Sequence, residues 1–464
     1  MLFKAQILIF DCFCAIVALV QGGVEMQKNR AYKNRDRYLN KLIAFQDTEP
    51  VKVITGIRRC GKSSLLKLMV AHLSDTGISP SQIIEMNFES HEFKDMDSDE
   101  LYQFVKNRAL PNKRMYLFFD EIQRIPAWEE AINSFRVDLD CDIYITGSNA
   151  YLLSSEYATY LSGRCIEIKM LPLSFQEFLY FHGFEVHEGK SALGGTKRYA
   201  YDSAGERYEL KEAFEAYLRF GGMPGIVDIG LEQEKALILL DGIYSTVVVR
   251  DILEREKRRG QRQITDPVLL RKIILFLADN IGNTVSANSI GNTLVNEGLL
   301  EMGSRKGAPS THTVQAYVNA LLESFVFYEV KRFDIKGKEY LRTLGKYYIA
   351  DIGLRNYLLG FRDRDTGHTL ENVVYFVLLR RGYDVAIGKI DNHEVDFIAA
   401  NAHEKNYIQV TESLTNEIVR NRELAPLQKI RDNYSKLILS LDPGIEQSFE
   451  GIKSINVIDW LLQK

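Results

Sequence analysis

Gly56-Ile57-Arg58-Arg59-Cys60-Gly61-Lys62-Ser63-Ser64 is the stretch whose residue types and spacing best suit the handling of phosphate. Gly56 and Gly61 let the backbone turn tightly with its amides facing inward. A helix beginning behind them adds the positive end of its dipole. Lys62 is then placed to reach β- and γ-phosphates, and Ser63 to offer a hydroxyl to Mg²⁺. A second set follows at Met115-Tyr116-Leu117-Phe118-Phe119-Asp120-Glu121. An unbroken apolar run ending in acids is how a buried parallel strand delivers carboxylates to the C-terminal edge of its sheet. Asp120 would hold Mg²⁺, directly or through water, and Glu121 would orient or deprotonate the attacking water. An acidic pair after a strand is also a common helix cap. Its place about 60 residues behind a phosphate loop makes it a Walker B candidate, and ATP with Mg²⁺ the expected ligand.

Two further groups have alternatives. A strand from Asp142 to Thr146 ends in Gly147-Ser148-Asn149, where either Ser148 or Asn149 would sit beside the γ-phosphate, or both serve a turn or cap. In Leu161-Ser162-Gly163-Arg164, Arg164 is placed as an arginine finger, in cis or on a neighbouring subunit, or as a surface ion-pair partner.

The elements that must position these groups are readable around them. Val51 to Thr55 is a β-branched strand, Leu65 to Leu73 continues an apolar helix face, Ile83 to Asn87 is a second strand, and Leu101 to Ala109 is a helix. At 464 residues, with 46% apolar and 26% charged residues, the chain has the composition of a globular protein of several domains. A formal charge of -4 excludes a global polyanion binder, so any nucleic-acid surface must be local. Cys12, Cys14, Cys60, Cys141 and Cys165 show no metal-ligand spacing and no disulfide framework. Cys60 is either oxidation-sensitive, through nearby amides and Lys62, or simply a small residue that fits. Residues 7–20 are apolar but interrupted by Asp11, short for a membrane span and without a following A-x-A cleavage site. The favoured reading is an upstream extension with the working start at Met26. A docked apolar helix and a signal or anchor are the alternatives. Cytoplasm without membrane association is the expected location.

Gly56 to Ser64, the strand ending in Asp120-Glu121, Thr146-Gly147-Ser148-Asn149, and Leu161-Ser162-Gly163-Arg164 followed by Leu171-Pro172-Leu173-Ser174-Phe175-Gln176-Glu177-Phe178 together resemble the AAA-type ATPases of prokaryotes that carry an uncharacterised C-terminal domain. The resemblance runs from about Met26 to the end. It implies an AAA+ core with sensor 1 at Ser148 or Asn149, an arginine finger at or near Arg164, and a homo-oligomer as one option.

Between Phe184 and Tyr208 the chain turns glycine-rich and polar, and a mobile loop or linker is expected. Gly221-Gly222-Met223-Pro224 looks like the family's lid region, with helical periodicity from Leu231 to Ile252. The basic run Arg255 to Arg262 is either a solvated surface or a phosphate-contacting patch. Three helices (269–279, 286–296 and 310–324) and a ribbon (325–333 with 339–349) then follow in winged-helix order. The third helix carries no lysine or arginine and offers Thr311, His312, Thr313, Gln315 and Asn319. Positive charge lies at Arg305 and Lys306 and in the wing at Lys331, Arg332, Lys336, Lys338, Arg342 and Lys346. Duplex DNA held through wing phosphates, with little base readout, is one expectation; a module for protein contact or an ATPase lid is the other.

From about His368 an αβββαβ order with acids on the first helix and second strand is similar to the PD-(D/E)XK nuclease fold. Glu371 and Asp396 would supply ligands to a second Mg²⁺, and Gln409 takes the place of the family's second acid. The expected lysine two residues later is Thr411, which carries no charge. A degenerate nuclease is therefore expected, unless Lys389 or Lys405 is brought in. Glu371 as a helix N-terminal acid, and Glu394 with Asp396 as hairpin polars, are the plain alternatives.

The expected fold is α/β: a P-loop AAA+ parallel sheet with a helical lid, then a winged helix and a restriction-endonuclease-like domain. The boundaries are 1–25 (extension), 26–183 (core), 184–265 (loop and lid), 266–360 (winged helix) and 361–464 (nuclease-like). The expected function is Mg²⁺-dependent ATP hydrolysis on or near DNA. A nucleotide switch whose C-terminal domains bind proteins is the alternative.

Overall fold

A computed structural model of the protein describes residues 32–148, 163–190, 196–245, 252–253, 264–296, 309–341, 344–362, 365–443 and 447–463. Two compact units are formed, Glu25–Pro172 and Leu173–Leu322 with Val326–Lys464.

The first unit runs α1 (Asp36–Ala44), β1 (Val51–Thr55), α2 (Lys62–Asp75), β2 (Ile83–Asn87), α3 (Ser98–Lys106), β3 (Met115–Asp120), α4 (Trp128–Asp138), β4 (Cys141–Gly147) and β5 (Cys165–Lys169). Among the described residues the strands form a parallel five-stranded sheet in the order β2-β3-β4-β1-β5. The whole of β1 and β3 is buried, as expected for strands covered on both faces. On one face Val53, Met86, Leu117, Phe119 and Ile145 pack against Leu101, Val105, Ile132 and Phe135. Each such side chain contributes roughly 2 kcal/mol of burial before chain entropy is counted. On the other face Phe118 stacks on Tyr144 at 4.7 Å. A capping box between Asp97 and Glu100 starts α3.

The second unit opens with α5 (Phe175–Phe181), started by a Ser174–Glu177 capping box inside the Leu171-to-Phe178 motif. Then come β6 (Glu185–Lys190), β7 (Thr196–Tyr201) and β8 (Arg207–Glu209), where a loop was expected. These strands pair as an antiparallel meander. Strand-favouring aromatics at Tyr199, Tyr201 and Tyr208 carry these strands, with Tyr199 and Ala200 buried on opposite faces of β7; the glycines concentrate around the β6–β7 connection, whose residues 191–195 lie outside those described. α6 (Leu210–Phe220) leads to Gly221-Gly222, which packs on Asp351 and Leu173. A Cβ on Gly221 would stand 2.3 Å from Asp351 Oδ1, and Gly221 has a φ of +78°.

α7 (Gly225–Ile229) and α8 (Gln233–Ile243) complete this stretch, and the basic run 255–262 lies outside the described residues. Next are α9 (Pro267–Asp279), β9 (Thr284–Val285), α10 (Ala287–Asn296), α11 (Thr311–Glu323), β10 (Phe327–Val330), β11 (Arg332–Asp334), β12 (Glu339–Tyr340) and β13 (Gly345–Ile349). Ser286 and Ser310 cap the second and third of these helices, accepting from Ser289 N and Thr313 N. The expected ribbon splits: β10 pairs with β13, which also pairs with β9, whereas β11 pairs with β12 and, in parallel, with β14.

That last pairing carries the ribbon tip into the final sheet. After α12 (Ile352–Leu359) and α13 (Thr366–Arg380) come β14 (Asp384–Ile390), β15 (His393–Ala400), β16 (Lys405–Val410), α14 (Glu417–Gln428), β17 (Ser435–Ser440), β18 (Gln447–Phe449), β19 (Ile452–Asn456) and α15 (Val457–Leu461). Among the described residues this sheet has eight strands, ordered β12-β11-β14-β15-β16-β17-β19-β18.

Candidate nucleotide site

The strand order decides the site. The loop-bearing strand β1 and the acid-bearing strand β3 are not neighbours, because β4 lies between them. Thr55 pairs with Gly147 and Phe119 with Ile145, so Thr146 comes out between the glycine loop and Asp120. Its hydroxyl donates to Asp120 Oδ1 (2.5 Å) and accepts from the backbone N of Glu121 (2.9 Å). Spacing alone marks Thr146 only as the end of a strand; the insertion of β4 makes it part of the site.

The loop itself is held from two sides. Gly56, at a φ of +146°, has no room for a side chain: a Cβ would stand 2.0 Å from the Met170 carbonyl oxygen. Gly61, at +105°, turns the chain into α2. Arg35, just ahead of α1, is buried and donates through Nη1 to the carbonyls of Cys60 (3.0 Å) and Leu171 (2.9 Å), and through Nη2 to Pro172 (3.4 Å). This guanidinium ties the phosphate loop to the exit of β5, and no sequence signal marked it. Cys60 is fully buried, and burial pushes its thiol up despite Lys62 and Arg35. It fills space rather than presenting a thiolate.

Lys62 Nζ donates to the carbonyls of Gly56 (3.0 Å) and Ile57 (3.3 Å) and lies 3.8 Å from Glu121 Oε1. The ammonium thus stands inside the curve of the loop. The Ser63 hydroxyl faces Asp120 and favours its ionised form, and Asp120 also accepts from Asn87 Nδ2 (3.0 Å). Burial raises the Asp120 carboxyl above the ordinary range, against the hydrogen bonds from Thr146 and Ser63. For Glu121 burial again opposes ionisation. There the Lys62 charge, hydrogen bonds from Gln123 and Ser148, and the Arg58 charge prevail and hold the carboxyl below its usual value. Ser148 Oγ donates to Glu121 Oε2 at 2.9 Å and Gln123 Nε2 to the same oxygen at 2.5 Å. Glu121 sits at a φ of +57°, a left-handed conformation uncommon for a non-glycine residue, which aims its carboxylate back at Lys62. A hydroxyl and a carboxylate in mutual contact are oxygen donors of the kind Mg²⁺ takes, so Ser63 and Asp120 fit that ion.

Of the other expected residues, Arg58 pairs with Glu89 (2.5 Å), while Arg59 and Ser63 are exposed at the loop surface and Ser64 is half-buried. Asn149 lies outside the described residues. Arg164 stands apart from the phosphate loop along the sheet. Its carbonyl accepts from Val51 N at the start of β1, and the neighbouring Cys165 pairs with Val51. Its backbone therefore lies at the N-terminal edge of the sheet, about 13 Å of strand from the loop.

The second expected metal pair is brought together, around a cation of the protein. Lys346, expected as a wing contact for phosphate, is 3% exposed, because β13 is a central strand buried along its length. Its Nζ lies 2.8 Å from Glu371 Oε1, 2.8 Å from Glu394 Oε1 and 3.9 Å from Asp396 Oδ1. Lys389 and Lys405 do not fill that place. Lys405 stacks over Tyr407 at 4.8 Å. Lys331, Lys336 and Lys338 are exposed, Arg332 is half-buried, and Lys336 pairs with Asp391 at 2.6 Å. Arg305, Lys306 and Arg342 lie outside the described residues. Among the described residues no helix is long and apolar enough to cross a membrane.

A phosphate loop, an acid-tipped strand and an intervening hydroxyl strand on a parallel sheet define a P-loop protein of AAA+ fold, and residues 48–179 match the AAA domain model. Residues 211–365 match a domain of unknown function. Nearly the whole chain is similar to an uncharacterised protein of Haemophilus influenzae (38% identity, 94% of this chain, 100% of the relative). It is also similar to the uncharacterised protein MJ1544 of Methanocaldococcus jannaschii (32% identity, 92% and 90%). The chain belongs to the family of these two proteins. Solved structures similar to it include the Walker-type ATPase PABY2304 of Pyrococcus abyssi (16% identity, 72% of this chain, 97% of that one, TM-score 0.45). Another is the Aeropyrum pernix ORC1 protein in complex with DNA (12% identity, 71% and 93%, TM-score 0.30).

Proposed function

We propose that the chain is a Mg²⁺-dependent ATPase that works on or near duplex DNA. The observation carrying the ATPase reading is the meeting of Lys62, Ser63, Asp120, Glu121 and Thr146 at one sheet edge. Mg²⁺ held by Ser63 and Asp120 would supply charge neutralisation between the β- and γ-phosphates. Lys62 and the amides from Gly56 to Ser64 bind phosphate oxygens, with the Gly56 and Ile57 carbonyls giving up the ammonium to ATP. Glu121, held ionised by Lys62, orients the attacking water and takes its proton. Ser148 or Asn149 senses the γ-phosphate, and Arg164 serves the nucleotide of a neighbouring copy, which makes a homo-oligomer part of this reading. Lys62→Ala should abolish ATP binding. Glu121→Gln should keep binding and stop hydrolysis, and turnover surviving in that variant removes Glu121 from its role.

The DNA part rests on Lys336 and Lys338, exposed in the β11–β12 turn, and on Lys331, exposed just ahead of β11, on helices and strands in winged-helix order. Duplex affinity should fall with salt and fall again in Lys336→Glu/Lys338→Glu. A second reading, a nucleotide switch for protein partners, is favoured by charges and polar groups already spent inside the chain. Lys346 is buried among acids, Lys336 is paired, and on α11 Gln315 donates to Asn319. ATP turnover measured with and without duplex separates the two: stimulation supports DNA action, indifference the switch.

A further inference from the structure

The nuclease-like arrangement of the second unit implies a divalent ion on Glu371 and Asp396, and the surrounding residues do not fit one. Glu371 Oε1 accepts from both Lys346 Nζ and Tyr348 OH, the latter at 2.6 Å. Its other oxygen, Oε2, is closed in by His368 Nδ1 at 3.7 Å and by Gly282, where an added Cβ would stand 2.9 Å away. Asp396 Oδ2 accepts from Val410 N (2.8 Å), leaving Oδ1 toward Lys346. Gln409 offers no free oxygen, since Oε1 accepts from Asp396 N (2.8 Å) while Nε2 donates to Glu423 (2.8 Å). Among the described residues no group of three or more His, Cys, Asp or Glu is arranged to hold a metal.

We infer that the Lys346 ammonium is the resident cation of the Glu371, Glu394 and Asp396 cluster, so that the native chain binds no divalent ion there. A buried ammonium at hydrogen-bond distance from Glu371 and Glu394, and 3.9 Å from Asp396, occupies the point on which the carboxylates converge, and Mg²⁺ would need oxygens at about 2.1 Å around that same point. Burial opposes the charge on Lys346, yet Glu371, Asp396 and Glu394 together raise its pKa above that of an ordinary lysine. The lysine missing at Thr411 has thus not been replaced by another catalytic one. A cation on β13 has taken the metal's place, and the module is a lysine-locked structure without metal-dependent phosphodiester cleavage. This conclusion is independent of the ATP site.

The test is calorimetric titration of the full chain with Mn²⁺ alone, without nucleotide. Wild type and Glu371→Gln should show the same number of Mn²⁺ sites. Lys346→Met should gain one site, and Lys346→Met/Glu371→Gln should lose it again. Lys346→Met should also melt below wild type and recover several degrees of Tm on saturation with Mn²⁺, whereas Lys346→Arg should behave as wild type. A wild-type Mn²⁺ site that Glu371→Gln removes overturns the inference, as does a folded Lys346→Met that gains none. If Lys346→Met does not fold, the wild type against Glu371→Gln comparison decides alone.

Discussion

Thr146→Val removes one hydroxyl from the centre of the candidate site and almost no volume. In the native chain that hydroxyl satisfies two buried partners, Asp120 Oδ1 and the Glu121 amide, and Thr146 itself is fully buried. A hydrogen bond to a charged group contributes about 1.5–3 kcal/mol, and an orphaned buried amide costs about 1–3 kcal/mol, with the two effects not fully additive. A loss of about 2–4 kcal/mol from the first unit is expected, recovered largely by Thr146→Ser. The two tryptophans make this measurable: Trp128 lies in the first unit and Trp460 in the second, so fluorescence-detected urea unfolding in a Trp460→Phe background reports the first. The electrostatics give a second readout. Asp120 is already raised by burial, and Thr146 is one of the groups holding it down. Without Thr146 its pKa climbs further, so the acidic limb of ATP turnover should move to higher pH. Stability within about 0.5 kcal/mol of wild type together with an unmoved acidic limb would refute the assignment of Thr146.

Arg35→Ala should destabilise the first unit by about 3 kcal/mol and weaken ATP binding, because the Cys60 and Leu171 carbonyls lose their donor. Equilibrium dialysis with ATP beside the Trp128 unfolding curve checks both, and unchanged affinity would confine Arg35 to a structural role. Asp351 caps α12 and accepts from Gly222 N and Leu354 N, and burial pushes its carboxyl up to about 6. Raised in the folded chain, this carboxyl favours folding fully below its unfolded value near 3.8 and loses that contribution as pH rises through about 6. The difference is at most ~3 kcal/mol. Trp460-detected urea midpoints between pH 4 and pH 7 should carry this slope in the native chain and lack it in Asp351→Asn.

What the sequence revealed of the site was the part encoded locally. Gly56 to Ser64 and Asp120-Glu121 are each contiguous, and their chemistry follows from residue type and neighbours. Thr146 and Arg35 depend on pairings that spacing does not state: β4 inserting between β1 and β3, and a residue 25 positions upstream closing on Cys60. The place of Arg164 is hidden for the same reason, since a residue just ahead of a strand does not announce which sheet edge it lies on. Among the elements, β6 to β8 are hidden by glycines of the connection, whose weight masks the strand-favouring tyrosines beside it. Lys346 shows the converse error. A lysine in a ribbon reads as solvated, yet Tyr347, Tyr348, Ile349 and Ala350 directly behind it form an apolar run that marks a buried strand, and the lysine is carried inside with it.

The same burial bears on whether the last region stands alone. A fragment beginning at residue 361 retains α13 and β14 to β19 but loses β11, which pairs with β14 at Arg332↔Ile387, Phe333↔Gly388 and Asp334↔Lys389. It also loses Lys346 and Tyr348, the two donors to Glu371 Oε1. Removing one partner of a buried ion pair costs about 3–5 kcal/mol, a large share of the stability of a domain of about 100 residues. β14, meanwhile, becomes an exposed edge. The fragment from residue 361 should therefore fail to give a cooperative melt, and one beginning at residue 266, which restores β11 and β13, should give one. Circular dichroism on the two fragments checks this, and a cooperative transition in the shorter one would show that the acidic cluster does not need its lysine to be tolerated.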